Sequence, residues 1–193
     1  INGQQVPVSF WLADSFNNPV PDGTAVNFTT EGGNITASCN TVNGACSVTW
    51  TSSEPRVADH RITILATATG HETFFDSNGN NVFDSDDGIA LSDTEKTASG
   101  LERASAMTSG FIDIAEAWRD DNENREYDTG EVFIDFNNNQ SFDVADGKFN
   151  GPQCQGTRCG IGAAKTLNVR KAMVLIMSGS SARYSLISAQ RFS

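Results

Sequence analysis

Short stretches in which apolar and polar residues alternate dominate the first 70 residues, a pattern typical of strands with one buried face. Residues 5–13 (QVPVSFWLA) place four apolar side chains on one face: Val6, Val8, Phe10 and Leu12. The alternation returns in residues 24–30, 46–52 and 60–70, and clusters of Asn, Pro and Gly separate the stretches. The pattern predicts an all-β protein.

A later apolar stretch, residues 163–179 (AAKTLNVRKAMVLIMSG), is the other strong strand signal. Its alternation passes into a wholly apolar run, which favours a central strand buried on both faces that pairs back onto the N-terminal strands. Residues 183–192 fit either an edge strand or a tail leading to another domain. Residues 93–107 fit a short helix and a mobile surface loop equally well.

The two groups of strands, in about residues 1–70 and 163–193, are expected to form one domain, with residues 71–160 as a large insertion. The 193 residues are enough for one domain with a proper core. The chain also begins abruptly at Ile1, which favours a piece of a larger protein.

The insertion repeats one spacing of oxygen-bearing residues three times. The copies are DSNGNNVFDSDD (76–87), DDNENREYDTGE (120–131) and DFNNNQSFDVAD (135–146), named loops 1, 2 and 3. Counted from the first Asp, oxygen-bearing side chains stand at positions 1, 3, 5, 9 and 12, and position 7 offers its backbone carbonyl. This is the ligand spacing of an EF-hand, which surrounds Ca²⁺ with six to eight oxygens. The spacing therefore predicts about three Ca²⁺ ions.

The predicted ligands are the side chains at these positions and the carbonyl groups at position 7. They are Asp76, Asn78, Asn80, Val82, Asp84 and Asp87 in loop 1; Asp120, Asn122, Asn124, Glu126, Asp128 and Glu131 in loop 2; and Asp135, Asn137, Asn139, Ser141, Asp143 and Asp146 in loop 3. Bidentate ligation is expected to be most secure at Glu131, because position 12 is the shorter Asp in the other loops. Asp113 and Glu116 are open between extra ligands and solvated carboxylates, and Glu72 is a weaker candidate.

Two features depart from the EF-hand. Position 6, normally Gly, is Asn81, Arg125 and Gln140, of which only Asn tolerates the left-handed backbone well. No amphipathic helices flank the loops. The segment is therefore expected to resemble the calcium-rigidified loops of dockerin-like and thrombospondin-like repeats, and not a helix-opening switch.

Acidic residues are concentrated in the same segment. Between positions 72 and 146 lie 19 of the 24 Asp and Glu residues and four Lys or Arg, so this segment carries −15 and the remainder +4. Such a segment repels itself unless cations neutralise it. A disordered acidic linker is the alternative, but it gives no reason for an aromatic residue at position 8 of every loop (Phe83, Tyr127, Phe142), where a small core is expected.

The four cysteines are expected to pair locally. Cys39 and Cys46 flank a segment whose Asn-Gly is a hairpin turn signal, and Cys154 and Cys159 flank QGTR. Neither spacing is that of a zinc knuckle. Two short disulfides indicate an oxidising compartment, such as the periplasm, the cell surface or the medium.

Several function classes have little support. Two His residues, no GxSxG elbow, no phosphate-binding Gly loop and no HExxH argue against an enzyme, although paired carboxylates for glycoside hydrolysis stay open. The acidic balance argues against nucleic acid and anionic membranes as partners. The apolar run near the C-terminal end, AMVLIM (172–177), is too short to cross a membrane.

One stretch carries a family resemblance. The run NNPVPDGTAVNFTTEGGNITASCNTVNGACSVTWTSSEP, followed by HRITILATATG, resembles the bacterial immunoglobulin-like domain of the invasin and intimin type over roughly 65 N-terminal residues. That family implies a β-sandwich strung in tandem on surface proteins, with neighbouring immunoglobulin-like domains as partners. The expected role is a calcium-rigidified structural or adhesive module of a bacterial cell-surface or secreted protein, whether a lipoprotein or a transported adhesin. The alternatives are a calcium-dependent module that binds a surface glycan or protein and, with less support, a domain attached to an extracellular hydrolase.

Overall fold

The computed structural model describes residues 2–14, 17–91 and 108–177. These contain eleven strands and one short 3₁₀ helix (Gly162–Lys165). In chain order the strands are β1 (Gln5–Trp11), β2 (Ala25–Thr30), β3 (Asn34–Ile35), β4 (Ser38–Asn40), β5 (Ala45–Thr51), β6 (Arg61–Gly70), β7 (Ala90–Leu91), β8 (Phe111–Ile112), β9 (Ala117–Trp118), β10 (Phe133–Ile134) and β11 (Leu167–Ile176). The prediction of an all-β protein is confirmed. The segments 93–107 and 183–192, each with two interpretations, lie outside the described residues.

Two antiparallel sheets hold the strands outside the insertion. One has the order β1-β5-β3 and the other the order β11-β6-β2-β4. β11 pairs with all ten residues of β6, from Leu167 opposite Gly70 to Ile176 opposite Arg61. The chain thus leaves the four-stranded sheet at the end of β6 and returns beside it, so the two ends of the insertion lie close together.

One apolar cluster receives side chains from both sheets. The alternation noted in the sequence explains its membership, because every second residue of a strand points to the same face. Its buried members include Val8, Val26, Phe28, Val48, Trp50, Ile62 and Ile64. The Trp50 indole nitrogen donates a hydrogen bond to the Gly32 carbonyl oxygen at 2.8 Å. Gly33 has φ +73°, and an added Cβ would stand 2.6 Å from the indole ring, so only glycine fits there.

The prediction that residues 163–179 form a strand buried on both faces is wrong, because β6 has that burial and β11 does not. β6 has seven consecutive buried residues, whereas most of β11 is half-buried and Ile176 is 74% exposed. Among the described strands, β6 pairs on both edges, with β2 and β11, and β11 pairs with β6 alone. The apolar run of β11 was therefore a misleading signal, because two-sided burial requires neighbours on both edges and cover on both faces.

Both predicted disulfides are confirmed. Cys39 of β4 bonds to Cys46 of β5, with the Cα atoms 6.0 Å apart, and so links the two sheets. Cys154 bonds to Cys159, with the Cα atoms 5.7 Å apart.

Several contacts between the insertion and the four-stranded sheet come from loop 2 and the residue before it. The Arg119 guanidinium donates to the Thr30 carbonyl oxygen at 2.8 Å, and the Thr63 hydroxyl donates to the Asp120 carbonyl oxygen at 3.1 Å. Arg61, at the start of β6, pairs with Glu123 through two hydrogen bonds of 2.5 and 2.7 Å. These contacts place loop 2 beside Thr63 and Arg61 of β6.

Candidate metal centre

The Asp at position 1 of each loop folds the chain around its own carboxylate. Its Oδ1 accepts a hydrogen bond from the backbone N–H at position 5, at 3.2, 3.0 and 3.1 Å in loops 1, 2 and 3. Its Oδ2 accepts from the N–H at position 6, at 2.8 Å in all three. The residues are Asp76, Asp120 and Asp135. Asp suits this place because its short side chain reaches backbone N–H groups a few residues ahead.

Asn residues at positions 3 and 5 bring their side chains to the Asp at position 9. Their Oδ1 atoms accept hydrogen bonds of 2.7 to 3.0 Å from the backbone N–H groups at positions 5 and 7. Their amide nitrogens lie 2.6 to 3.2 Å from a position-9 carboxylate oxygen. Three oxygen-bearing side chains therefore meet in each loop, and each amide oxygen keeps a second lone pair. The sets are Asn78, Asn80 and Asp84; Asn122, Asn124 and Asp128; and Asn137, Asn139 and Asp143.

A carboxylate from position 12 closes loops 1 and 2. Asp87 accepts from the N–H groups at positions 2 and 9 of loop 1, at 2.7 and 2.9 Å, and Glu131 does the same in loop 2, at 2.8 and 2.9 Å. In loop 3 the corresponding N–H groups donate instead to Glu116, at 2.9 and 3.1 Å. Glu116 therefore occupies the place that the spacing predicts for Asp146.

Position 6 has a left-handed backbone in every loop. The φ angles are 62° at Asn81, 69° at Arg125 and 65° at Gln140. The conformation turns the position-6 N–H toward the position-1 carboxylate, as a Gly does in an EF-hand. Arg125 and Gln140 therefore adopt the left-handed backbone as Asn81 does, although it is strained for residues with a Cβ.

The position-8 aromatics form two clusters instead of one. Tyr127 of loop 2 stacks on Phe142 of loop 3, with centroids 4.0 Å apart and planes at 16°. Phe83 of loop 1 stacks on Phe149, which lies outside the three loops, with centroids 4.7 Å apart. Phe83 and Phe149 share a buried cluster with Phe111. Loops 2 and 3 are thus neighbours, and loop 1 packs against a different segment.

Three further carboxylates, Glu72, Asp113 and Asp146, lie in one region away from the closed loops. The N–H groups of Ile114 and Gly147 join this region by donating to Glu72 and Asp113, but the three carboxylates alone are not close enough together to hold an ion. Glu72 has no exposed surface, and burial raises the pKa of its carboxyl to about 8. Hydrogen bonds from the N–H groups of Ile114 and Asn150 oppose that shift, and the charges of Asp113 and Asp146 add to it. Burial also raises the pKa of Asp113. Of the acids that were open or weaker candidates, Glu116 thus joins loop 3, while Glu72 and Asp113 belong to this separate group.

The donor chemistry of the loops suits Ca²⁺. Within the described ranges, no three or more His, Cys, Asp or Glu side chains gather closely enough to hold a metal ion. Half of each predicted ligand set, however, consists of Asn amide oxygens and a backbone carbonyl, at positions 3, 5 and 7. Neutral oxygens mixed with carboxylates are the ligands of hard cations such as Ca²⁺, not of Zn²⁺.

The second disulfide lies against loop 1 and the segment around Phe149. The Gln155 N–H donates to the Phe83 carbonyl oxygen at 2.8 Å, and the Phe149 N–H donates to the Arg158 carbonyl oxygen at 2.8 Å. The short loop closed by Cys154 and Cys159 therefore bonds to both stacked phenylalanines through the backbone.

No family model, curated protein or solved structure matches the chain. In the part of the chain that the structure describes, no helix has the length and apolar character needed to cross a membrane.

Proposed function

We propose that this chain is a calcium-rigidified, immunoglobulin-like module of a larger bacterial cell-surface or secreted protein, with a structural or adhesive role. In this role Ca²⁺ fills loops 1, 2 and 3 and holds the insertion in one conformation against the four-stranded sheet.

The observation that carries the proposal is the hydrogen-bond scheme shared by three loops with different sequences. At positions 2, 4 and 6, loop 1 has Ser, Gly and Asn, and loop 2 has Asp, Glu and Arg. The bonds accepted by positions 1, 3 and 5 and by the closing acid, which is Glu116 in loop 3, nevertheless recur, and the lengths of equivalent bonds agree within about 0.2 Å. Common ligand chemistry explains this recurrence better than common packing does.

Electrostatics supports a need for cations in the insertion. Among the described residues, the acids of this segment form ion pairs at Arg61 with Glu123 and at Arg119 with Asp121. Arg119 is already counted in the net charge of −15, and Arg61 offsets one further charge from outside the segment, so the net charge of the segment stays strongly negative. Divalent cations bound at three loops would offset six of these charges, because each carries two.

The module part of the proposal draws on the strands outside the insertion. Two antiparallel sheets contribute to one apolar cluster, which supports a sandwich of the kind implied by the resemblance of the N-terminal residues to bacterial immunoglobulin-like domains. The disulfides support an oxidising location such as the bacterial cell surface. Neighbouring domains of the same type would be its partners.

A second candidate is calcium-dependent binding of a carbohydrate or a protein. It is favoured by a cleft of about 680 Å³ beside loops 2 and 3, whose lining includes Trp118, Tyr127, Phe142 and Arg170. Screening the calcium-loaded chain on a glycan array, with the chelated chain as control, separates the two candidates. Calcium-dependent retention of one glycan class would favour the binding module over the spacer.

Native mass spectrometry in excess Ca²⁺, after complete chelation, tests the calcium function. The expected result is at least three bound ions, and Asp128→Ala should remove one because it deletes the position-9 carboxylate of loop 2. Asp59→Ala is the matched control, since Asp59 is an exposed acid outside the loops. Fewer than two bound ions in the wild-type chain would overturn the proposed function.

A further inference from the structure

We propose that Glu72, Asp113, Asp146 and Asn150, with the backbone carbonyl of Lys148, form a fourth Ca²⁺ site, assembled from three separate segments of the chain. This split site rests on the calcium function proposed above and adds one ion to it. It is not one of the three contiguous loops, and the residues come together only in the folded chain.

Glu72 repeats the hydrogen bonds of a position-12 acid. Its carboxylate accepts from the N–H groups of Ile114, at 2.9 Å, and Asn150, at 2.8 Å. Its own N–H donates to the Asn150 carbonyl oxygen at 3.1 Å. In loops 1, 2 and 3 the closing acid likewise donates its N–H to the position-9 carbonyl oxygen, at 3.3, 3.0 and 2.9 Å. Ile114 therefore corresponds to position 2 and Asn150 to position 9.

Residues 146–150 (DGKFN) repeat positions 5 to 9. The Gly147 N–H donates to Asp113 Oδ2 at 2.6 Å, as position 6 does to position 1, and Gly147 has φ 76°. The Lys148 N–H donates to Asp146 Oδ1 at 2.8 Å, as position 7 does to position 5. Phe149 then provides the position-8 aromatic. The match assigns Asp113 to position 1 and Asp146 to position 5.

Two oxygens of the split site are buried without a hydrogen-bond partner: Asp113 Oδ1 and Asn150 Oδ1. Among the described residues, only two other buried side-chain atoms share this condition, Thr29 Oγ1 and Trp118 Nε1. Both oxygens belong to residues that already bond within the site, through Asp113 Oδ2 and the Asn150 N–H. The Asp146 N–H also faces the Asp113 carboxylate, so Asn150 Oδ1 is the oxygen that carries this observation. A buried oxygen is rarely left without a partner, and one in an acidic site points to a bound cation.

The negative charge around Glu72 also supports a bound cation. Its side chain is fully buried, and the neighbouring charges in the site belong to Asp113 and Asp146, which are themselves acids. A buried carboxylate is stable only when it is paired, hydrogen-bonded or coordinated to a metal. Two N–H groups satisfy its hydrogen bonds in part, and a divalent cation supplies the missing positive charge.

The donor set matches Ca²⁺. Two oxygens of Glu72 and one each from Asp113, Asp146, Asn150 and the Lys148 carbonyl make about six, the lower end of the range that Ca²⁺ takes. Position 3 falls on an alanine, so the split site lacks one side-chain oxygen that the loops have. We expect it to bind more weakly than a loop with the full set.

Native mass spectrometry of the full chain, titrated with Ca²⁺ alone, tests the split site. The wild-type chain should bind four ions, and Asn150→Ala should bind three, because only the side-chain oxygen is lost while the backbone N–H still bonds to Glu72. Asn150→Asp should keep four ions, since it retains an oxygen at position 9. Asp86→Asn is the matched control and should also keep four, because Asp86 is exposed and stands at a non-ligand position of loop 1.

Combining Asn150→Ala with Asp128→Ala separates this proposal from the calcium function itself. The double variant should bind two ions if the split site and loop 2 are independent. Three ions in the wild-type chain, unchanged by Asn150→Ala but reduced by Asp128→Ala, would overturn the split site and leave the calcium loops intact. No bound ion in any variant would overturn both.

Discussion

At the scale of single residues, position 6 of each loop exposes a conflict between side chain and backbone. Arg125 and Gln140 hold φ angles of 69° and 65°, in a region that costs a residue with a Cβ about 1–2 kcal/mol. The hydrogen bond from each position-6 N–H to the position-1 carboxylate, 2.8 Å long, compensates for that strain. Both residues are therefore tolerated but not optimal.

Gln140→Gly should raise the stability of the folded chain. Glycine removes the left-handed strain but adds freedom to the unfolded chain, so we expect a net gain of up to about 1 kcal/mol. Chemical denaturation in the presence of Ca²⁺ measures it. Gln153→Gly is the matched control, because Gln153 is not among the residues with positive φ, and it should lower stability. A loss of stability in both variants would contradict the interpretation of strain.

At the scale of loops and strands, the acid that closes loop 3 comes from outside the loop. Glu116 lies 19 residues before Asp135, the first residue of loop 3, and its N–H also donates to the Asp143 carbonyl oxygen at 2.9 Å. Asp146 does not close loop 3, and its carboxylate instead accepts a hydrogen bond from the Lys148 N–H. Loop 3 and the segment from Asp113 to Glu116 consequently fold as one unit.

Glu116→Gln should weaken Ca²⁺ binding at loop 3 about tenfold or more, whereas Asp146→Asn should leave loop 3 unchanged. The reason is that the closing carboxylate contributes charge and two oxygens. Two-dimensional NMR of the Gln140 amide, whose N–H bonds to the position-1 Asp, reports on this loop alone. If the Ca²⁺ titration of the Gln140 amide signal is unchanged in Glu116→Gln but shifted in Asp146→Asn, then Asp146 and not Glu116 closes loop 3.

The two aromatic clusters should differ in their contribution to stability. Phe83 has no exposed surface and contacts Phe74, Phe111 and Phe149, so Phe83→Ala should cost about 3–5 kcal/mol. Phe142→Ala should cost less, because Phe142 is half-buried. Thermal unfolding at saturating Ca²⁺ compares them, and equal losses would show that burial does not distinguish the clusters.

The sequence was most informative where the determining contacts are local. Alternation located β1, β2, β5 and β6, and short spacings identified both disulfides. It was least informative where contacts are distant: the apolar run of β11 does not reveal which strand has neighbours on both edges. Likewise, a twelve-residue window cannot show that Glu116 closes loop 3 or that Glu72 meets Asn150, because both contacts depend on chain reversals outside the window.

At the scale of the whole molecule, the insertion is tied to the sheet through few contacts. Arg119, Thr63 and the pair of Arg61 with Glu123 join loop 2 to β2 and β6, and the Arg170 guanidinium of β11 donates to the Ala115 carbonyl oxygen at 2.7 Å. Among the described residues, the apolar cluster between the two sheets contains none from the insertion. We therefore expect the core of the sheets to persist without calcium.

Chelation should unfold the insertion and leave the sheets folded. Removing the ions restores repulsion within a segment of charge −15 and withdraws about 4 kcal/mol per site if free Ca²⁺ was a thousandfold above Kd. Hydrogen exchange should then show loss of protection in residues 71–91 and 108–150, with β1, β2, β5 and β6 still protected. Added salt should restore part of the protection, because it screens the repulsion.

Equal protection of the insertion with Ca²⁺ and with chelator would contradict the structural role of calcium. Loss of protection in the sheets as well would contradict their independence. The two outcomes are distinguished within one experiment, because peptides from the sheets and from the insertion are measured together.

The hydrogen bond between Glu72 and Asn150 also determines when this part of the fold can form during synthesis of the chain. A chain is synthesised from its N-terminus, and loops 1, 2 and 3 each contain most of their predicted ligands within twelve consecutive residues. Glu72 must wait for a partner 78 residues later, a delay of about 4–16 s at ordinary rates of translation. Until then the Glu72 carboxylate stays in water, because the segments that bury it have not yet emerged, and the assembly around it is complete only when Asn150 has emerged.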